Sequence, residues 1–386
     1  MSRHAERFGR AVSQTVLVLL FVVVLAINLL PFVDSQDALM DFGSFYAAGL
    51  KAEKGENPYD PNSEYIFEIN FERIGAGGKM VNLNPPISLL IFQVLPRFDP
   101  HRALLTWQII SALLYAGTVV VLRHHYKEHV SFPRVIWAFM LAGFWHTIIL
   151  GQVYILLLVF AALGWIFLRQ QRYLLAGVMI GLVICIKPNF GIWALFLLAA
   201  GFYGSALVSL LTALLVSLIP LLLYGTQIYV QWLDASAMSR ETLIMPGNSS
   251  LPGLITRFAG PEPGIVLGFV VVIALLVVTW RKRPAEMDRA ERASSLGILA
   301  SLLASPISWT GYTILLLPVF FSLRNWTALT IASAALLTVP FAIVLQLHQL
   351  SFVYFVLFGW LYGWALLLLT SDLVKQNRRA ENAQVA

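Results

Sequence analysis

Charge is what this chain has least of. Asp, Glu, Lys and Arg make up 12% of its 386 residues, against roughly 25% in a soluble globular domain, and its mean hydropathy is +0.77. Polar side chains are too few to wet the surface of a protein this size, which excludes a water-soluble body. Cysteine is nearly absent as well. A lone Cys185 excludes an intramolecular disulfide and any zinc site built on paired cysteines. P-loop, dinucleotide glycine fingerprint and HExxH helix are all missing, so the common nucleotide, NAD and zinc-protease chemistries are set aside; no metal or cofactor is expected. The even alternation of a membrane β-barrel is missing too. The net charge of +6 does not point to nucleic acid, because the basic residues collect between apolar runs, where topology signals lie.

Long apolar runs are what remains. Breaking the chain at charged and Pro/Gly positions leaves segments near 12–33, 103–122, 133–150, 152–168, 173–186, 190–203, 205–224, 265–280, 293–304, 310–323, 327–345 and 351–369. The expectation is an all-α integral membrane protein of about twelve transmembrane helices, one membrane-embedded domain over residues 1–386. The first run, behind Arg3, Arg7 and Arg10, lacks a small-residue cleavage site and reads as a retained helix. With a cytoplasmic N-terminus, the inner segments are "RHHYKEH" from Arg123 with Arg134, "RQQR" from Arg169, "RKRPAEMDRAER" from Arg281, Arg324 and the tail 371–386, which satisfies the positive-inside rule. That parity requires the run from Asn84 to Pro96 to dip in and return. Residues 34–102 and 225–264 then form two outer loops. Spans as short as 173–186 and 190–203 are tolerated where they line a cavity within protein, as in an enzyme or transporter and unlike a simple anchor.

The first outer loop opens on three aspartates, Asp34, Asp37 and Asp41, directly after an apolar run. Interfacial helices are expected over about 42–54 and 61–73. Asp41 falls at the start of the first, where it either caps backbone N–H groups or, held where water meets hydrocarbon, serves as a general base. Lys187 in "IKPNFG" either snorkels or meets an anion. Gln152 in "GQVY" is a satisfied turn amide or a group facing a cavity. "SPISW" puts a proline break and Trp309 at another outer turn, where an interfacial aromatic anchor is the plain reading, and Arg240 and Arg257 are solvated or bind a lipid phosphate. The expected topology brings Asp41, Tyr46, Asn84, Gln152, Lys187 and Trp309 to one level. His124, His125 and His129 belong to a basic loop, and His146 reads as a core histidine near the outer end of its span.

The order "DFGSFYAAG" with "NPYDP", "NPPISLLIFQVLP", "GQVYILLL", "AGVMIGLVICIKPNFG" and "SPISW", from about residue 30 to 320, resembles the family 87 glycosyltransferases, polyprenol-phosphate-mannose-dependent membrane enzymes. The resemblance implies the GT-C architecture, with Asp41 as catalytic base and a polyprenyl-phosphate sugar, mannose or another hexose, as donor lipid. The acceptor would be a glycolipid or glycan, attacked from the outer side of a bacterial plasma membrane with inversion at the anomeric carbon. Lys187, with Arg240 and Arg257 behind it, would hold the donor phosphate; Tyr46, Tyr59, Asn84, His146, Gln152, Trp309 and Tyr312 would contact substrate. The family commonly follows "SPISW" with x-His-His, where this chain has Thr310, Gly311 and Tyr312. The role of those histidines is therefore missing or falls to Tyr312 or His146, and Asp34 or Asp37 remains an alternative to Asp41.

Two other readings compete: a lipid flippase or small-molecule transporter, and a non-catalytic scaffold. A transporter concentrates its ionisable residues near mid-bilayer, whereas here nearly all lie at expected span ends. A scaffold has no use for a long polar loop and a lysine at the same level.

Overall fold

The structure, a computed structural model, describes residues 15, 18–28, 39–71, 76–238, 243–245, 247–281, 286–347 and 355–385. Asp34, Asp37 and Arg240 lie outside this set. After α1 (Val18–Asn28) come α2 (Met40–Glu53), a hairpin of β1 (Glu68–Phe71) and β2 (Ala76–Lys79), α3 (Leu89–Phe92), α4 (Pro100–His125), α5 (Phe132–Met140) and α6 (Ala142–Leu150). The body continues through α7 (Tyr154–Arg169), α8 (Tyr173–Ile186), α9 (Gly191–Ala199), α10 (Tyr203–Tyr224), α11 (Gln227–Met238), α12 (Leu251–Ala259), α13 (Pro261–Arg281) and α14 (Glu286–Ala304). It closes with α15 (Leu317–Ser322), α16 (Ala328–Leu336), α17 (Phe341–Leu347) and α18 (Leu361–Val385).

Three helices, α4, α10 and α13, are long and apolar enough to cross a bilayer alone. The pairs α5–α6 and α16–α17, bent by 43° and 85°, raise that to five. Length and composition thus support three to five spans among the described residues, fewer than the twelve expected from apolar runs. The difference comes from helices such as α7 and α8, of 16 and 14 residues, which reach only about 24 and 21 Å against a hydrocarbon core of about 30 Å. Such short helices need protein around them, and most of their length has it: Leu157, Leu158, Ala176, Ile180 and Val183 are fully buried, and the start of α8 is open at Leu174 and Leu175. The long helices instead turn apolar side chains outward, with Leu113 68%, Leu222 83% and Val266 60% exposed, as lipid-facing surfaces do.

Small residues let the helices close on one another. Gly177 and Gly181 on α8 meet α10 so tightly that an added Cβ would stand 2.8 Å from Ser205 O and 2.6 Å from Ser209 O, the close approach that glycines four apart allow. The two ends of the body are defined by α4. Near its start, the Trp107 indole donates to Gln152 O. Just past its end, Tyr126 donates to Glu291 Oε1 at 2.7 Å, and the same oxygen takes Arg169 Nη1 at 2.7 Å. Arg134 reaches the carbonyls of Leu323 and Arg324. Arg134, Arg169 and Arg324, three of the basic residues that set the expected topology, thus stand at the end away from Gln152.

The first loop differs from expectation in two ways. Its first helix forms, as α2, but the N-cap is Leu39 without a side-chain bond and Asp41 lies inside the first turn, so Asp41 does not cap it. No helix forms over residues 61–71, the described part of the second expected helix at 61–73. There the chain makes an antiparallel hairpin in which Glu68 faces Lys79 and Phe71 faces Ala76. The reason is legible in "FEINFE", where Phe67, Ile69 and Phe71 alternate with Glu68, Asn70 and Glu72; this period of two, rich in aromatic and β-branched residues, favours a strand. The run after Asn84 folds as 3-10 and α-turns over Pro86–Arg97, too short to cross, and packs on α2 through the stacked rings of Phe45 and Phe92, 4.5 Å apart.

Candidate active site

Five of the anticipated residues meet at one cavity of about 50 Å³: Asp41, Asn84, Gln152, Lys187 and Trp309. Ser44, Phe45, Met80, Val81, Leu83 and Tyr154 complete its wall. Each polar member arrives by a local rule of the chain.

Asp41 is delivered by a close approach. Gly151 ends α6 with φ +65°, a left-handed conformation that suits glycine, and a Cβ there would stand 2.7 Å from Phe42 Cβ. With no side chain at 151, α2 lies directly against this turn, and the next residue, Gln152, donates from Nε2 to Asp41 Oδ2 at 2.5 Å. Burial pushes the Asp41 carboxyl up from 3.8 to about 6, while the Gln152 hydrogen bond and the Lys187 charge pull it back. The group is thus ionised near neutrality yet more basic than an ordinary carboxylate. Met40, immediately before it, has φ +49°, a strained value for a residue with a side chain, of the kind that collects at functional sites.

Lys187 is placed by the proline after it. A residue before proline is driven out of the α region; Lys187 takes φ −137° and ψ 90° and ends α8. Its ammonium lies 5.5 Å from the centre of the Tyr154 ring and 5.4 Å from that of Tyr312, and the two rings pack edge to face at 4.5 Å. This aromatic seat holds the cation by its π-faces. Gly311 makes room for it, since a Cβ there would be 2.4 Å from the Tyr154 ring. Tyr312 itself is buried and does not line the cavity; it bears on the site through Lys187.

Trp309 is fixed from the second long loop. Asn248 donates to the carbonyls of Leu243 and Pro306, and its Oδ1 accepts from the backbone N–H groups of Ser250 and Ser308. Asn248 thereby ties the 305–309 turn to the chain ahead of α12, and a backbone bridge joins it to Trp309. Nothing in the spacing of the sequence marked Asn248.

The remaining candidates stand elsewhere. Tyr46 donates to Phe98 O and Tyr59 to Asn84 O, each at 3.0 Å; Tyr59 thus supports the wall and does not form it. His146 is buried with its ring edge against Phe341 at 4.6 Å, outside the residues that line the cavity. Arg257 lies on α12 with its guanidinium 4.1 Å from the Phe355 ring centre and bonded to Ile244 O, also away from the cavity wall. Tyr154 escaped the sequence reading because "GQVY" draws attention to its amide, while an aromatic at a helix start reads as core. Among the described residues no cluster of His, Cys, Asp and Glu has the makings of a metal site.

One carboxylate, one ammonium and two amides in a recess of low polarity can take a proton from a hydroxyl and meet an anion. Comparison with known proteins bears on which reaction uses them. The family described as Glycosyltransferase family 87 matches residues 82–306, more than half of the chain, a stretch that contains Asn84, Gln152 and Lys187 and begins after Asp41. A polyprenol-phosphate-mannose-dependent alpha-(1-2)-phosphatidylinositol pentamannoside mannosyltransferase of Mycobacterium tuberculosis (strain CDC 1551 / Oshkosh) is 26% identical over 258 residues, 63% of this chain. The chain spans 58% of that relative's length. No solved structure matches.

Proposed function

This chain belongs to glycosyltransferase family 87, and from that membership we propose that it moves a hexose, mannose, from a polyprenyl-phosphate donor to a glycolipid or glycan acceptor at the outer face of the plasma membrane. The reading is supported above all by one observation: Asp41 and Lys187, from distant parts of the chain, line the same cavity. In the reaction an acceptor hydroxyl gives its proton to the Asp41 carboxylate as its oxygen bonds to the anomeric carbon. The bond from that carbon to the phosphate oxygen breaks on the opposite face, and the electron pair leaves with the polyprenyl phosphate, inverting the centre. The Lys187 ammonium stabilises the charge growing on the departing phosphate, an effect that is large where water is scarce. With Arg257 engaged by Phe355 and Ile244, Lys187 carries this role alone among the described candidates. The arginines at the far end of the body fit a cytoplasmic side opposite the site.

The test is transfer itself. Membranes holding the full chain are given radiolabelled polyprenyl-phosphate mannose and a mannolipid acceptor. Wild type is expected to form labelled glycoside, and Asp41→Asn to lose about 10²–10⁴ in rate. Equal transfer by both strikes Asp41 from the chemistry, and labelled lipid that crosses leaflets without forming glycoside makes the protein a flippase.

A further inference from the structure

Asn84 lines the cavity beside Asp41, is 3% exposed, and has a buried Oδ1 without a hydrogen-bond partner. Its orientation follows from its neighbours. The backbone N–H of Asn84 can only donate, and it donates to Asn82 Oδ1 at 3.0 Å; this fixes which way the Asn82 amide points. The same oxygen then accepts Asn84 Nδ2 at 2.9 Å, so the Asn84 amide must turn its carbonyl away from Asn82. Turned the other way, two carbonyl oxygens would face each other. The loop that carries the pair is held from outside by Tyr59, which donates to Asn84 O, and by Trp232, which donates to Leu83 O. The oxygen left over is therefore set in a rigid frame.

A buried carbonyl with no donor costs free energy, and the group that relieves it must bring an O–H or N–H. Around the same cavity the Asp41 carboxylate also accepts, and Lys187 supplies the positive charge. We propose that Asn84 Oδ1 is the receptor for a second carbohydrate hydroxyl, distinct from the one that Asp41 deprotonates, and that Asn82 is the positioning residue that aims it. The inference rests on the transferase reading above and narrows its substrate class: besides the acceptor hydroxyl that reacts, one of the two sugars at this wall presents a second free hydroxyl to be recognised. A hydroxyl of the acceptor and a hydroxyl of the hexose being transferred have the same chemistry here, so the experiment runs both series.

The full chain in membranes is assayed with an α-mannoside acceptor and each of its monodeoxy analogues, and separately with polyprenyl-phosphate mannose and its monodeoxy counterparts. In wild type, loss of one hydroxyl other than the attacking one is expected to lower kcat/KM about 10- to 100-fold. In Asn84→Leu the parent is used as poorly as that analogue, so the difference between them disappears. Asn82→Ala, which frees the Asn84 amide to rotate, shrinks the same difference. A penalty in the acceptor series assigns the contact to the acceptor, and one in the donor series assigns it to the hexose. The proposal is overturned if wild type uses every monodeoxy compound as well as its parent, a result that needs no variant to fold, or if Asn84→Leu keeps the full penalty. Absence of transfer with all compounds overturns the transferase reading and this proposal together, whereas transfer without a hydroxyl preference overturns this proposal alone.

Discussion

Gln152 and Asp41, 111 positions apart in sequence, are joined by a 2.5 Å hydrogen bond from amide to carboxylate. The bond does more than orient. An N–H donor favours the ionised form, so it works against the burial that would otherwise neutralise the acid. The outcome, a pKa of about 6, lies close to neutral pH, and a general base is most effective when its pKa is near the pH of the reaction.

The rate should follow that carboxylate. With wild type, kcat/KM is expected to rise with pH up to about 6 and level off above it, because only the ionised form accepts a proton. Gln152→Leu removes one of the two influences that lower the pKa, so its acidic limb moves to higher pH. A pH profile of both proteins decides this, and superimposable limbs would show that Gln152 does not act on the base.

Stability should move the other way. A carboxyl raised from 3.8 to about 6 by burial binds its proton more tightly folded than unfolded, so it adds stability below the unfolded pKa and loses it as pH rises through the window between the two values. Above that window Asp41→Asn, which has no charge to desolvate, is expected to be more stable than wild type by about 2 to 3 kcal/mol. Thermal unfolding in detergent at pH 8 and pH 4 would show a gap at pH 8 that narrows at pH 4. An inactive variant that is also the more stable one is hard to explain by misfolding.

The ammonium and its aromatic seat should separate by size of effect. Lys187→Met removes the charge that meets the leaving phosphate and is expected to lower kcat about 10²- to 10³-fold. Tyr154→Leu keeps the charge and loses one π-face, 5.5 Å from Nζ, so a loss of roughly 2- to 30-fold is expected from a contact worth about 0.5–2 kcal/mol. Steady-state kinetics on the two variants check the order. A Tyr154→Leu enzyme as weak as Lys187→Met would mean that the ring itself touches substrate.

What could be read from the sequence divides along the range of the physics. Apolar runs and the helix-compatible residues after Asp41 are local, and they led to the helical body and to α2; the choice of Asp41 over Asp34 and Asp37 came from the family resemblance. That Asp41, Gln152 and Lys187 share a level was an expectation from counting spans. That they share a cavity with Tyr154 needed the packing of α2 on the α6 turn, which depends on the missing side chain of Gly151 and leaves no periodic trace. Arg257 was singled out for its charge, and charge alone does not reveal that Phe355 and Ile244 occupy it. The hairpin was legible and misread: Tyr65 to Glu72 alternates with the period of a strand, and the expectation of a helix over 61–73 passed over it.

Gly151 offers the last test. Its φ of +65° and a would-be Cβ 2.7 Å from Phe42 make Gly151→Ala doubly unfavourable. Left-handed strain adds about 1–2 kcal/mol, and overpacking against α2 about 1–3 kcal/mol. Gly55 separates these causes, since it shares the conformation with φ +72° but would place a Cβ in open space; Gly55→Ala is therefore expected to show the strain alone and unchanged transfer. In Gly151→Ala the clash is relieved only by moving α2 off the α6 turn, which carries Asp41 away from Gln152. Its pH profile should then shift upward as that of Gln152→Leu does, with a lower unfolding temperature. If Gly151→Ala lost stability but kept the wild-type acidic limb, the approach of α2 to this turn would not be what sets the charge of Asp41.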